Sequence, residues 1–187
     1  MARDKNPEPA PENIPSAPDL RTTLLDKRPE SWDRLPDLDL YMDQLLNYVN
    51  RKRPFASADQ DLTKSMVNNY IKQGILPRPN GKRYTRDHIA ELSMLVLLKE
   101  VLPMQDSQEL FEQLDLFEAS QAGYDLFREE LDRTFLLTAE VLENTREDSR
   151  GATALRFALL SYATRRVAIS LLEDGRDDST KRDEPEL

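Results

Sequence analysis

The run from Leu62 to Leu92, LTKSMVNNYIKQGILPRPNGKRYTRDHIAEL, limits the fold more than any other part of the chain. At helical spacing Met66, Val67, Tyr70 and Ile71 fall within an arc roughly 140° wide, with Ser65, Asn68, Asn69 and Lys72 on the opposite side. The pattern predicts a short helix over 63–73, apolar on one face and polar on the other. Gly74 is the residue able to take the left-handed conformation that ends a helix. Ile75 and Leu76 return to the core, and in the Pro77–Arg83 segment Asn80-Gly81 is a strong tight-turn signal. Thr85 then caps another helix, with Asp87 in the first turn where the dipole favours a negative charge. The order is helix, break, small basic hairpin, helix.

The same region is electrically distinct. Between Arg51 and Arg86 nine cations face two carboxylates, +7 in a chain of net charge −9, so the remainder carries −16. A basic island in an acidic chain attracts polyanions locally, while the rest discourages non-specific adhesion.

Around this run the chain divides into four parts. Of its 12 prolines, 7 precede Leu38, which marks residues 1–36 as a disordered, Pro-rich tail with Trp32 and Leu35 as a local anchor. A first helix is expected after Asp37 or Asp39, with Leu40, Tyr41, Leu45, Leu46, Tyr48 and Val49 as its apolar face, stopping before Pro54, because a residue preceding proline avoids helix. A loop follows over 54–61. The helix opened by Thr85 should run to Val101 and break at Pro103, and Asp106 with Glu109 has capping-box spacing for a short helix over Leu110, Phe111 and Leu114. Two long helices, 119–145 and 152–173, complete the body, and residues 175–187 read as a disordered acidic tail. In the second of these helices 14 of the 21 positions from Ala152 to Leu172 are apolar, which predicts central burial, or burial split between core and subunit interface.

Other chemistry is sparse. Without cysteine there are no disulfides or thiolate metal sites, and a reducing cytoplasm is compatible. No apolar run approaches the roughly 20 residues that span a bilayer. His88 is the only histidine, so neither a histidine metal cluster nor a catalytic triad is expected, and a surface or capping role fits it. The carboxylates Glu129, Glu130, Asp132, Glu140 and Glu143 read as a solvated helix face, and five scattered glycines form no phosphate loop.

The polar helix face and the hairpin make sense together as a nucleic-acid surface. A major groove admits one helix, and Asn side chains bind adenine bidentately, which suits Asn68 and Asn69 to base reading. Lys64 and Lys72 suit phosphates, and a hairpin carrying Arg78, Lys82 and Arg83 would reach the flanking backbone or minor groove.

Met66–Glu91 resembles the winged helix-turn-helix DNA-binding domain of MerR-type regulators. In that family a helix carrying a Tyr, then Gly-Leu-Leu-Pro, a basic wing, Arg-x-Tyr and a Ser/Thr-initiated helix follow in order; the matching residues here are Tyr70, Gly74-Ile75-Leu76-Pro77, Lys82-Arg83-Tyr84 and Thr85 to Leu92. Met104–Leu114 looks like the short helix that follows in those regulators. As a whole, residues 38–110 look like an uncharacterised bacterial family, a domain of unknown function with a MerR-like module. This chain departs in having Asn68 and Asn69 where the family has Arg and an aromatic, and in the basic loop inserted at 51–61. No long coiled coil with a terminal effector domain follows, so no small-molecule ligand is implied.

The expectations are therefore these. The fold is all-α: a MerR-like winged helix-turn-helix with a small β-hairpin wing at 37–116, then a helical hairpin or bundle at 117–174 that mediates dimerisation. The function is sequence-specific, DNA-binding transcription regulation by a cytoplasmic homodimer, or alternatively an adaptor that kept the fold without specific DNA binding. The protein is not an enzyme and needs no cofactor or metal. Its partner is double-stranded DNA, contacted by Lys64, Ser65, Asn68, Asn69, Lys72, Arg78, Lys82, Arg83 and Tyr84.

Overall fold

The computed structural model describes residues 17–55, 60–116, 120–145 and 148–182. The Pro-rich stretch up to residue 16, the middle of the 54–61 loop and the end of the acidic tail lie outside the described residues. The described chain is mostly helical: α1 (Ala17–Asp26), α2 (Met42–Lys52), α3 (Lys64–Lys72), α4 (Arg86–Leu98), α5 (Met104–Gln113), α6 (Ser120–Glu143) and α7 (Arg150–Arg182), with a 3-10 turn at Trp32–Arg34. No described helix is long and apolar enough to cross a membrane.

The core forms around α4. Ile89, Ala90, Leu92, Met94, Leu95 and Val96 are all buried, because α4 is covered by α2 on one side and α6 on another. A helix apolar over so much of its circumference is stable only when enclosed in this way. Leu45 and Val49 of α2, Val67 and Tyr70 of α3, Phe111 of α5 and Tyr124 of α6 complete the cluster.

Several boundaries differ from those read in the sequence. Residues 17–36 are not a tail: α1 packs on α6, with Leu24 and Leu35 buried. Arg28 pairs with Asp132 of α6, and Arg21 with Glu143 at 3.2 Å. Trp32 lies 6.2 Å from the buried ring of Tyr124, whose hydroxyl donates to the Glu30 carbonyl at 2.9 Å. One core thus runs across both expected limits of the 37–116 unit. Helix α2 starts later than expected, with the backbone N–H of Tyr41 donating to Gln44 Oε1 at 3.0 Å. Helix α5 starts earlier, directly behind Pro103, with Asp106 already in its first turn.

Among the described residues the two long helices are not each other's principal partner, as a paired hairpin would require. The principal packing of α6 is with α1 and α4, and that of α7 is with α5. Instead of central burial, α7 leaves Leu155, Leu159, Leu160, Tyr162, Val167 and Leu171 exposed. Arg165 ties its middle to the α4–α5 corner, donating to the Val101 carbonyl at 2.7 Å.

Candidate nucleic-acid interface

Helix α3 is held from below and open above. Thr63 caps it, its side chain accepting the Met66 N–H at 3.3 Å. The entry is fixed by α2: the Asn50 amide donates to the Leu62 carbonyl at 3.1 Å and accepts the Leu62 N–H at 2.8 Å. Val67 and Tyr70 face the core, and burial pushes the Tyr70 phenol up. The opposite face, carrying Lys64, Ser65, Asn68, Asn69 and Lys72, is exposed. The arc read from helical spacing is the arc observed.

Past α3 the chain turns on Gly74, at φ +75°, a left-handed conformation that suits glycine. Ile75 and Leu76 are buried beneath it. A tight turn then closes between Asn80 and Arg83, the Arg83 N–H donating to the Asn80 carbonyl at 3.1 Å with Gly81 at φ +66°. The expected β-hairpin wing is not built as strands. Among the described residues there are two isolated antiparallel bridges, Asn80 to Arg83 and Leu40 to Tyr84. The second is doubly bonded, Leu40 N–H to the Tyr84 carbonyl at 2.8 Å and Tyr84 N–H to the Leu40 carbonyl at 2.9 Å. The arms are too short for a ladder, so the turn is pinned to the segment before α2 instead.

Two open hollows flank the exposed face of α3. One, about 360 Å³, is lined by Ser65, Met66, Asn68, Asn69 and Lys72. The other, about 600 Å³, lies between α3 and the turn, where Lys64, Asn68, Arg78 and Lys82 meet Tyr41, Asp43 and Ile71. Asn68 borders both. Arg83 is exposed at the rim, its guanidinium 5.1 Å from the Tyr41 ring centroid.

The structure therefore brings together eight of the nine predicted contacts as exposed groups and separates the ninth. Tyr84 is buried; its ring packs edge-on against His88 at 5.5 Å, and burial pushes its phenol up. It forms part of the floor of the hollow between α3 and the turn rather than a reaching contact. Three other cations of the basic island are also committed elsewhere. Arg53 is buried, bonded to the Gln60 carbonyl at 2.6 Å and to Glu100 at 2.5 Å. Lys52 pairs with Glu30 at 2.5 Å, holding the Glu30 carboxyl below its usual range, and Arg86 lies over the Trp32 ring. Tyr41, expected on the apolar face of the first helix, instead stands exposed ahead of α2. It was not read as part of the site, nor were Met42 and Asp43, because the bridge between Leu40 and Tyr84 is what carries this segment there.

His88 is buried rather than superficial. Its Nδ1 accepts the Thr85 N–H at 3.2 Å, closing the cap of α4, and burial lowers its basicity. One turn on, Glu91 is buried with Oε2 unpartnered among the described residues, and burial, reinforced by nearby Asp87, pushes its carboxyl up to about 8.

No curated protein and no solved structure is significantly similar to the chain. A domain of unknown function, DUF1836, matches residues 30–127, from the loop after α1 into α6, and so takes in the whole α2–α5 unit and the interface built on it. The chain belongs to the DUF1836 family.

Proposed function

We propose that this protein is a sequence-specific DNA-binding regulator that works as a homodimer, with α2 and α3 as a helix-turn-helix and the Pro77–Tyr84 turn as a MerR-like wing. The observation that carries the reading is the exposed Ser65, Asn68, Asn69, Lys72 row of α3, bordered by two hollows, the larger of which is lined by Lys64, Arg78 and Lys82. A helix of this kind fits a major groove with amides at base edges and cations at phosphates. On this reading the protein is not an enzyme: its single histidine is spent on a helix cap.

Fluorescence anisotropy against genomic fragments, across a salt series, tests it. Specific binding whose logarithm falls linearly with the logarithm of salt is expected. Retention on non-specific polymer only, lost at modest salt, would sink the reading. A second reading, an adaptor whose basic face meets an acidic protein patch, draws on the net charge of −9 and on Asp43 within the hollow.

A further inference from the structure

Helix α7 has two unlike sides. The side carrying Phe157, Ala168 and Leu172 is wholly or partly buried, and Arg165 on the same side holds Val101. The other half of the circumference is open and mostly apolar, interrupted by Arg156, Arg166 and Ser170. Along it runs a row at every fourth residue: Leu155, Leu159, Ala163, Val167 and Leu171, all exposed. The row is close to symmetric in size, with leucine at both ends, leucine and valine flanking the centre, and alanine at the centre. Such a four-residue ridge interlocks with its own kind when two helices cross.

We propose that this ridge is the contact between two copies of the chain, with the α7 helices antiparallel and crossing at Ala163. The proposal rests on the dimer reading above and specifies its geometry. Three observations favour a second copy over another partner. The first is self-complementarity: a two-fold axis at Ala163 sets Leu159 opposite Val167 of the second copy and Leu155 opposite its Leu171, while alanine lets the backbones approach. The second is charge. From Arg150 to Leu172 the helix carries Arg150, Arg156, Arg165 and Arg166 and no acid, and the first acids after them are Glu173 and Asp174. An antiparallel pair with its axis at Ala163 sets the position of Glu173 within one turn of Arg150 and Arg156 of the second copy; parallel packing sets Arg166 beside Arg166. The third is area. Leu155, Leu159, Leu160, Tyr162, Val167 and Leu171 are 44–68% exposed. Together they offer on the order of 600 Å² of apolar surface per copy, doubled across the pair, which reaches the lower bound for a stable interface.

The absence of cysteine makes the test clean. Single-cysteine variants of the full chain are oxidised without DNA and run on non-reducing gels. Ala163→Cys should cross-link to itself. Leu159→Cys and Val167→Cys should each fail alone yet form a mixed dimer when combined, since a disulfide needs Cα atoms within about 7 Å. Self-linking of Leu159→Cys and Val167→Cys with no mixed product would mean parallel helices and overturn the proposal. So would a monomeric wild-type chain in sedimentation at tens of micromolar, the outcome expected if another protein covers the ridge. Leu159→Glu should convert dimer to monomer while leaving the helical circular dichroism intact. DNA binding is scored separately, so a parallel or monomeric chain that still binds its site would discard this geometry and keep the nucleic-acid reading.

Discussion

The guanidinium of Arg83 lies over the ring of Tyr41, 5.1 Å from its centroid, with Nη2 3.3 Å from the phenol oxygen. The stack joins the turn to the segment leading into α2 and limits where this cation can reach. Exposed cation–π pairs contribute about 0.5–1 kcal/mol. Tyr41→Ala should therefore leave the denaturation midpoint nearly unchanged while weakening DNA binding several-fold. Equal affinity of the two proteins in anisotropy titrations would show that the stack does not position Arg83 for DNA.

The two sides of the interface should fail differently. Lys82→Ala with Arg83→Ala should weaken binding to all sequences alike and reduce the salt slope by about 2. Asn68→Ala should instead relax sequence preference, costing about 1–3 kcal/mol of discrimination at one position. Selection from a randomised duplex library, run with each variant, separates the two behaviours; a uniform loss from Asn68→Ala would reassign it to the backbone.

Among the described glycines, Gly123 of α6 is the one with no room for a side chain. A Cβ there would sit 2.8 Å from Leu116 Cδ2 and 2.9 Å from its Cα, and a backbone atom cannot be moved aside cheaply. Gly123→Ala should destabilise the fold by about 1–3 kcal/mol, the usual cost of overpacking. Gly151, with nothing within 4 Å, is the control: Gly151→Ala should be neutral or stabilising by up to about 1 kcal/mol. Urea denaturation of both variants decides the matter.

Stability should fall as pH rises, through Glu91. Its carboxyl is pushed from 4.5 to about 8 on folding, first by burial and then by Asp87. Between those values the folded chain binds more protons than the unfolded one, so the contribution is full below about pH 4.5 and is lost by about pH 8, a change on the order of a few kcal/mol. Glu91→Gln should remove this slope. Comparing urea midpoints at pH 5 and pH 8 for both proteins checks it; identical pH dependence would show that Glu91 does not carry the effect.

What was legible in the sequence was local. Helix α3 and its open face follow from residue spacing, the Thr85 cap and the Gly74 stop from residue type, and each is settled within a few positions; the cap by Thr63 was not legible, because helical spacing includes Thr63 in the helix itself. Helix α1 was not legible because it sits within a Pro-rich, charged stretch that resembles a tail, and what holds it is remote: just past its end Arg28 meets Asp132, 104 positions away. The burial of Tyr84 was hidden for the same reason. In a Lys-Arg-Tyr run it reads as one more contact, and only the pairing with Leu40 turns it inward. Composition identified α7 as a helix in need of cover but not the side on which α5 supplies it.

The grip of Asn50 on both backbone groups of Leu62 separates the aim of α3 from the path that leads to it. Arg53, bonded to the Gln60 carbonyl and to Glu100, closes a second clasp within the same stretch. The entry of α3 is therefore moored twice, and loosening either mooring alone should leave the helix pointing the same way.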